Sequence, residues 1–181
     1  MLNKANVIIT LQTLNLTSTL YYSILYTEKE RSTQTMKIWY DMDGTIADLY
    51  GVNDWLSMLR AYDPTPYEAA RPLVNLSRLA RYLNRVQKMG HEICVISWLS
   101  KESTPEYDAL VTSAKMFWLA KHLPSVKWDT INIVPYGRNK WEVCREGILF
   151  DDELKNRNAW QGNAYEPEQM FEVLAEIIKA D

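Results

Sequence analysis

Four short apolar runs constrain this chain more than any other feature: "KIWYDM" (37–42), "HEICVISW" (91–98), "TINIV" (130–134) and "GILFDDE" (147–153). Each is rich in β-branched or aromatic residues and too short for a helix of ordinary length, so each reads as a buried strand. Helical periodicity fills the intervals. Leu73, Leu76, Leu79, Ala80, Leu83 and Val86 recur on one face and stop at Gly90. A second helix opens at a Ser103 or Thr104 cap with Pro105 at its first position, and Leu110, Ala114, Phe117 and Trp118 form its apolar stripe. Shorter helical stretches are "GVNDWLSMLRAY" and "NKWEVCRE", and a last helix carries Met170, Val173, Leu174, Ile177 and Ile178. Buried strands alternating with amphipathic helices predict an α/β fold, a Rossmann-like parallel sheet covered by helices on both faces.

At 181 residues and 47% apolar, the chain is long enough for one well-buried domain. A net charge of −3 supplies no basic face for polymeric nucleic acid. No run of 18 apolar residues exists to cross a membrane. Cys94 and Cys144 lack metal-ligand spacing and read as buried thiols of a reducing, cytoplasmic compartment. Residues 1–35 differ from the rest. Their Thr- and Leu-rich run is broken by Gln12, Asn15 and Ser18, and they read as a poorly ordered extension ahead of a domain spanning 36–181, with Met36 as an alternative start.

In an open parallel sheet, ligands bind beyond the carboxyl ends of the strands, where strand order reverses. The unusual polar residues fall at that edge. Asp41 and Asp43 end the first run, Ser97 ends the second, Asp151 and Asp152 end the fourth, and Lys140 follows the third. Four converging carboxylates repel one another unless a cation sits among them. For an all-oxygen site that handles phosphate, that cation is Mg²⁺. One carboxylate can then attack phosphorus, a second can move the proton, and Ser97 and Lys140 can bind phosphate oxygens. Blander roles exist for each group. An Asp-Gly turn would explain Asp43, helix capping would explain Asp151 and Asp152, and solvent exposure would explain Lys140.

The ordered set "DMDGT", "VIS", Lys140 and "FDDE" resembles the four motifs of the haloacid dehalogenase-like (HAD) phosphohydrolases. The longer string "DMDGTIAD" is similar to the 5′(3′)-deoxyribonucleotidase branch. The resemblance implies Asp41 as nucleophile and metal ligand, and Asp43 as general acid/base with its backbone carbonyl on the metal. Asp152 would be the direct metal ligand of the acidic pair and Asp151 its support. Ser97 and Lys140, with Gly44 and Thr45 of the first motif, would bind phosphate. A small helical cap would occupy about 47–72. The expected activity is Mg²⁺-dependent phosphomonoester hydrolysis through an aspartyl-phosphate, with (deoxy)nucleoside monophosphates as substrates. Trp98 and Tyr50 are the aromatic residues placed to contact them. Three alternatives stand beside it: a phosphatase for another small ester such as a sugar phosphate or phosphoglycolate, a phosphoacceptor signalling module, and a non-catalytic phosphate-binding protein.

Overall fold

The computed structural model describes residues 35–180. The expectation of a poorly ordered extension therefore lies, up to residue 34, outside the described residues. The described residues 35–180 belong to one compact unit.

Its centre is a five-stranded parallel sheet built from β1 (Lys37–Tyr40), β4 (Glu92–Trp98), β5 (Thr130–Val134), β6 (Ile148–Phe150) and β7 (Ala164–Tyr165), in the order β5-β4-β1-β6-β7. The four apolar runs supply the first four of these strands. In β1, alternate side chains enter opposite faces, as a pleated strand requires. Ile38 and Tyr40 join the larger core with Ile93, Val95 and Phe150, whereas Trp39 joins Cys94, Ile96, Leu149 and Trp160 behind the sheet.

Helices cover both faces. On the larger core lie α3 (Leu76–Lys88), the C-terminal half of α4 (Pro105–His122) and α7 (Met170–Ala180), through Leu83, Trp118 and Leu174 among others. On the reverse face, α5 (Lys140–Cys144) and the residue that ends α6 (Leu154–Ala159) bring Trp141 and Trp160 together edge to face, 5.0 Å apart. The predicted punctuation is visible locally. Thr104 accepts a hydrogen bond from the Tyr107 amide at the start of α4, and Gly90 takes φ 94° just beyond α3.

Two details differ from the sequence reading. The buried stripe of α4 is Tyr107, Val111, Ala114, Lys115, Trp118 and Leu119, while Leu110 and Phe117 are about half exposed. The helix bridges two cores, so its inward face is set by both. Tyr107, Val111 and Ala114 pack with Leu49, Leu59 and Tyr67, whereas Trp118 and Leu119 pack on the sheet. The helical face also begins later than Leu73, which is exposed ahead of the Asn75 cap of α3.

After β1 the chain forms β2 (Ala47–Asp48), which pairs antiparallel with β3 (Arg71–Pro72). Between them stand α1 (Trp55–Arg60) and α2 (Thr65–Ala69). Among the described residues no helix is long and apolar enough to cross a membrane. Cys94 and Cys144 are free thiols, Cys94 buried and Cys144 half-buried. Burial pushes them up to about 11 and about 12, which leaves little thiolate at neutral pH.

Candidate functional site

Strand order reverses at β1. The crossovers carry β4 and then β5 to one side of it and place β6 and β7 on the other. Asp41, immediately after β1, sits at that switch point, and its amide donates to the Phe150 carbonyl at the end of β6. The carboxyl ends of β1, β4 and β6 thus bring Asp41, Asp43, Ser97, Asp151 and Asp152 to one edge, where Lys140 also arrives as the first residue of α5.

Lys140 is 2% exposed and lies between two acids. Its Nζ is 2.6 Å from Asp151 Oδ2 and 3.1 Å from Asp41 Oδ1. Burial works to lower its pKa, but attraction to Asp41 and Asp151 outweighs that cost and raises it, so the ammonium stays charged. The ion pair with Asp41 lacks hydrogen-bond alignment, leaving Asp41 Oδ1 buried with no hydrogen-bond donor.

The two acids after β6 differ in their surroundings. Asp151 is fully buried and saturated. It accepts from Lys140, from the Glu153 amide and from Asn156 on both oxygens. Asp152 is half-buried and lines the cleft, with Oδ1 accepting from Thr45 Oγ1 at 3.3 Å. Burial, then the charges of Asp41 and Asp151, push Asp152 up to about 7. Arg157 holds both backbone carbonyls of the pair, at 2.8 and 2.7 Å.

Gly44 and Thr45 serve Asp152 directly. A Cβ on Gly44 would meet Asp152 Oδ2 at 2.3 Å, and the residue's φ of 78° independently favours glycine. The Gly44 amide donates to Ala47 and the Thr45 amide to Met42, so the turn itself consumes both donors. The Asp152 amide in turn donates to Thr45 Oγ1.

The donor set fits a divalent cation. Carboxylate oxygens of Asp41, Asp151 and Asp152 lie within 4.8 Å of one another. A buried Asp41 oxygen that accepts no hydrogen bond and a raised Asp152 are what three crowded carboxylates should show before a cation neutralises them. The carboxylate of Asp43 stands apart from this group.

A second buried lysine engages Asp43. Lys115, halfway along α4, places Nζ 2.5 Å from Asp43 Oδ2 and 2.8 Å from Ser97 Oγ. The Tyr67 ring centroid is 4.9 Å from the same nitrogen. Burial raises the Asp43 pKa and the Lys115 charge opposes that rise. Sequence reading did not single out Lys115, Asn156 or Arg157. The first had a signal: a lysine four residues after Val111 and four before Leu119, at a core position of its helix.

Above these groups opens a cleft of about 260 Å³. Asp41, Asp43 and Asp152 lie at its base, and Tyr50, Trp55, Tyr67, Trp98 and Tyr136 line its walls. Trp98 donates to the Arg138 carbonyl and has Lys155 over its ring at 4.5 Å, so it is held in place. Tyr50 is about half exposed and meets Trp55 edge to face. His91 accepts from the Met36 amide, and His122 packs on Trp118.

No protein-family model matches the chain, and no curated protein matches it. Among solved structures, the D,D-heptose 1,7-bisphosphate phosphatase from Burkholderia thailandensis is similar, with 14% identity and a TM-score of 0.43 over 69% of this chain and 71% of that one.

Proposed function

We propose that this chain is a haloacid dehalogenase-like phosphohydrolase, a divalent-metal-dependent phosphomonoesterase that works through an aspartyl-phosphate on Asp41. The observation that carries the reading is the convergence of Asp41, Asp43, Ser97, Lys140, Asp151 and Asp152 from separate segments at the switch point of a parallel sheet.

A bound Mg²⁺, held by Asp41, Asp152 and the Asp43 carbonyl, would neutralise charge on the phosphoryl group in transit. The protein's own groups do the rest. A carboxylate oxygen of Asp41 attacks phosphorus as the ester oxygen departs, and Asp43 gives that oxygen its proton. Asp43 then takes a proton from water, whose oxygen attacks the acyl phosphate and breaks the P–O bond to Asp41. Ser97 and Lys140, both buried beneath the residues that line the cleft, would hold phosphate oxygens. Asp151 keeps Lys140 in place, while Gly44 and Thr45 set Asp152 rather than touching phosphate.

Residues 47–72 would act as a small cap. Nucleoside monophosphates are the substrates we propose, because a cleft walled by Tyr50, Trp55, Trp98 and Tyr136 offers flat faces beside a phosphate site. The cytoplasmic placement rests on the two free thiols. A phosphoacceptor module needs no second carboxylate beside its acceptor, so Asp43 favours hydrolysis.

Phosphate release with Mg²⁺ tests the proposal across nucleoside 5′- and 3′-monophosphates, sugar phosphates and phosphoglycolate. Turnover should be greatest on nucleotides, vanish with EDTA, and vanish in Asp41→Asn at an unchanged melting temperature. Preference for a sugar phosphate would overturn the substrate, and an active Asp41→Asn would overturn the nucleophile.

A further inference from the structure

Lys115 is a costly residue where it stands. Its side chain is 1% exposed in the middle of a helix, among Val111, Ala114 and Trp118, and a buried ammonium is tolerated only when paired and hydrogen-bonded. Neutralising Asp43 would account for one contact. It does not account for the second, because Ser97 is uncharged and would be satisfied by any neighbouring carbonyl.

Donor chemistry supplies the reason. An ammonium only donates, so at 2.8 Å the Ser97 oxygen must accept from Lys115. The Ser97 proton is then turned away from the lysine and free to donate elsewhere. On the other side Lys115 takes Asp43 Oδ2, and among the described residues Oδ1 has no hydrogen-bond partner. Tyr67 closes a third side of the ammonium with its ring. A single cation therefore sets the hydroxyl direction of Ser97 and the rotamer of Asp43, two groups 54 residues apart in sequence that must address the same ester.

We propose that Lys115 is a positioning residue for proton transfer: by bracketing Asp43 and Ser97 it aims one Asp43 oxygen at the leaving group and the Ser97 hydroxyl at the phosphate. It rests on the phosphohydrolase reading above and deepens it, since that reading gives Lys115 no contact with substrate or metal and the lysine acts through Asp43 and Ser97. Lys140 performs the corresponding service for Asp41 and Asp151, so the site has one ammonium for each catalytic carboxylate.

The test is Lys115→Met in the full chain with Mg²⁺, on two esters. Nitrophenolate departs without a proton, whereas an alkyl alkoxide needs one. On glycerol 2-phosphate, kcat should fall about 100-fold with KM little changed. On p-nitrophenyl phosphate, the first turnover should keep its rate while later turnovers slow, because water attack still needs Asp43, and a burst of nitrophenolate appears. Equal loss on both esters with no burst, or an unchanged kcat per folded molecule, would overturn the role of Lys115. If Lys115→Met fails to fold, Lys115→Arg keeps the charge but not the bracket. It should show the same ordering of esters, and a loss blind to the leaving group would overturn the proposal. A wild-type chain inactive on both esters and on every ester of the phosphate-release panel above would instead overturn the phosphohydrolase reading itself.

Discussion

The floor and the walls of the cleft follow opposite rules. The floor is closed and charged: Lys140, Lys115 and Asp151 are nearly inaccessible, and each has a partner within 2.6 Å. The walls are open and aromatic, with Tyr50 and Tyr136 about half exposed and touching mainly other rings or Lys155. Charges placed at low dielectric must be compensated, so neither lysine of the floor can be lost cheaply. Exposed rings carry no such obligation. In the proposed enzyme the floor supplies chemistry that any phosphate ester could use, and the walls choose the ester.

That contrast breaks if removing a floor lysine proves mild. Lys140→Met should have the largest effect, because it leaves Asp41 and Asp151 buried without their shared cation. We expect it to cost about 3–5 kcal/mol of stability, measured by urea unfolding without divalent metal. A loss under 1 kcal/mol would show that the floor is not the charge-matched unit described here.

Metal removal should expose an intermediate effect. The folded-state pKa of Asp152, about 7, lies above the ordinary 3.8. Between those values the folded chain holds a proton that the unfolded chain has lost, so folding stability falls as pH rises through the window. With EDTA, the melting temperature should decline from pH 4.5 to pH 8. Mg²⁺ should remove most of the decline near pH 8, and Asp152→Asn should flatten it with or without metal. A melting temperature that rises over this range in EDTA would contradict the crowded-carboxylate account.

The walls should give the smallest response. Tyr50→Ala should leave stability within about 0.5 kcal/mol and kcat unchanged, while raising KM for a nucleoside monophosphate roughly fivefold, the low end of what a stacked ring contributes. A large drop in kcat would move Tyr50 from the walls to the floor.

Local chemistry made much of the fold readable. The strand runs declare themselves by composition and length, and the Thr104-Pro105 start of α4 by its capping residues. The two-residue strands β2, β3 and β7 could not be read, since two residues carry no period and are strands only by virtue of their partners. Of the expected α4 stripe, Ala114 and Trp118 are buried while Leu110 and Phe117 face outward, for a related reason. Leu110 and Phe117 satisfy helical spacing as well as Val111 and Leu119 do, and only contact with two separate cores distinguishes the two faces.

Periodicity and strand-end chemistry act within a few residues, so the linear order of the residues is enough to say which acids end which strands and in what order they come. Tertiary structure decided the partners. It sent Lys115 across 72 residues to Asp43, gave Lys140 to Asp41 and Asp151, and left Asp152 in the cleft while burying its neighbour. Ion pairs between distant segments depend on the crossovers that bring helices back over the sheet, and charge matching in a dry interior selects among the lysines so delivered.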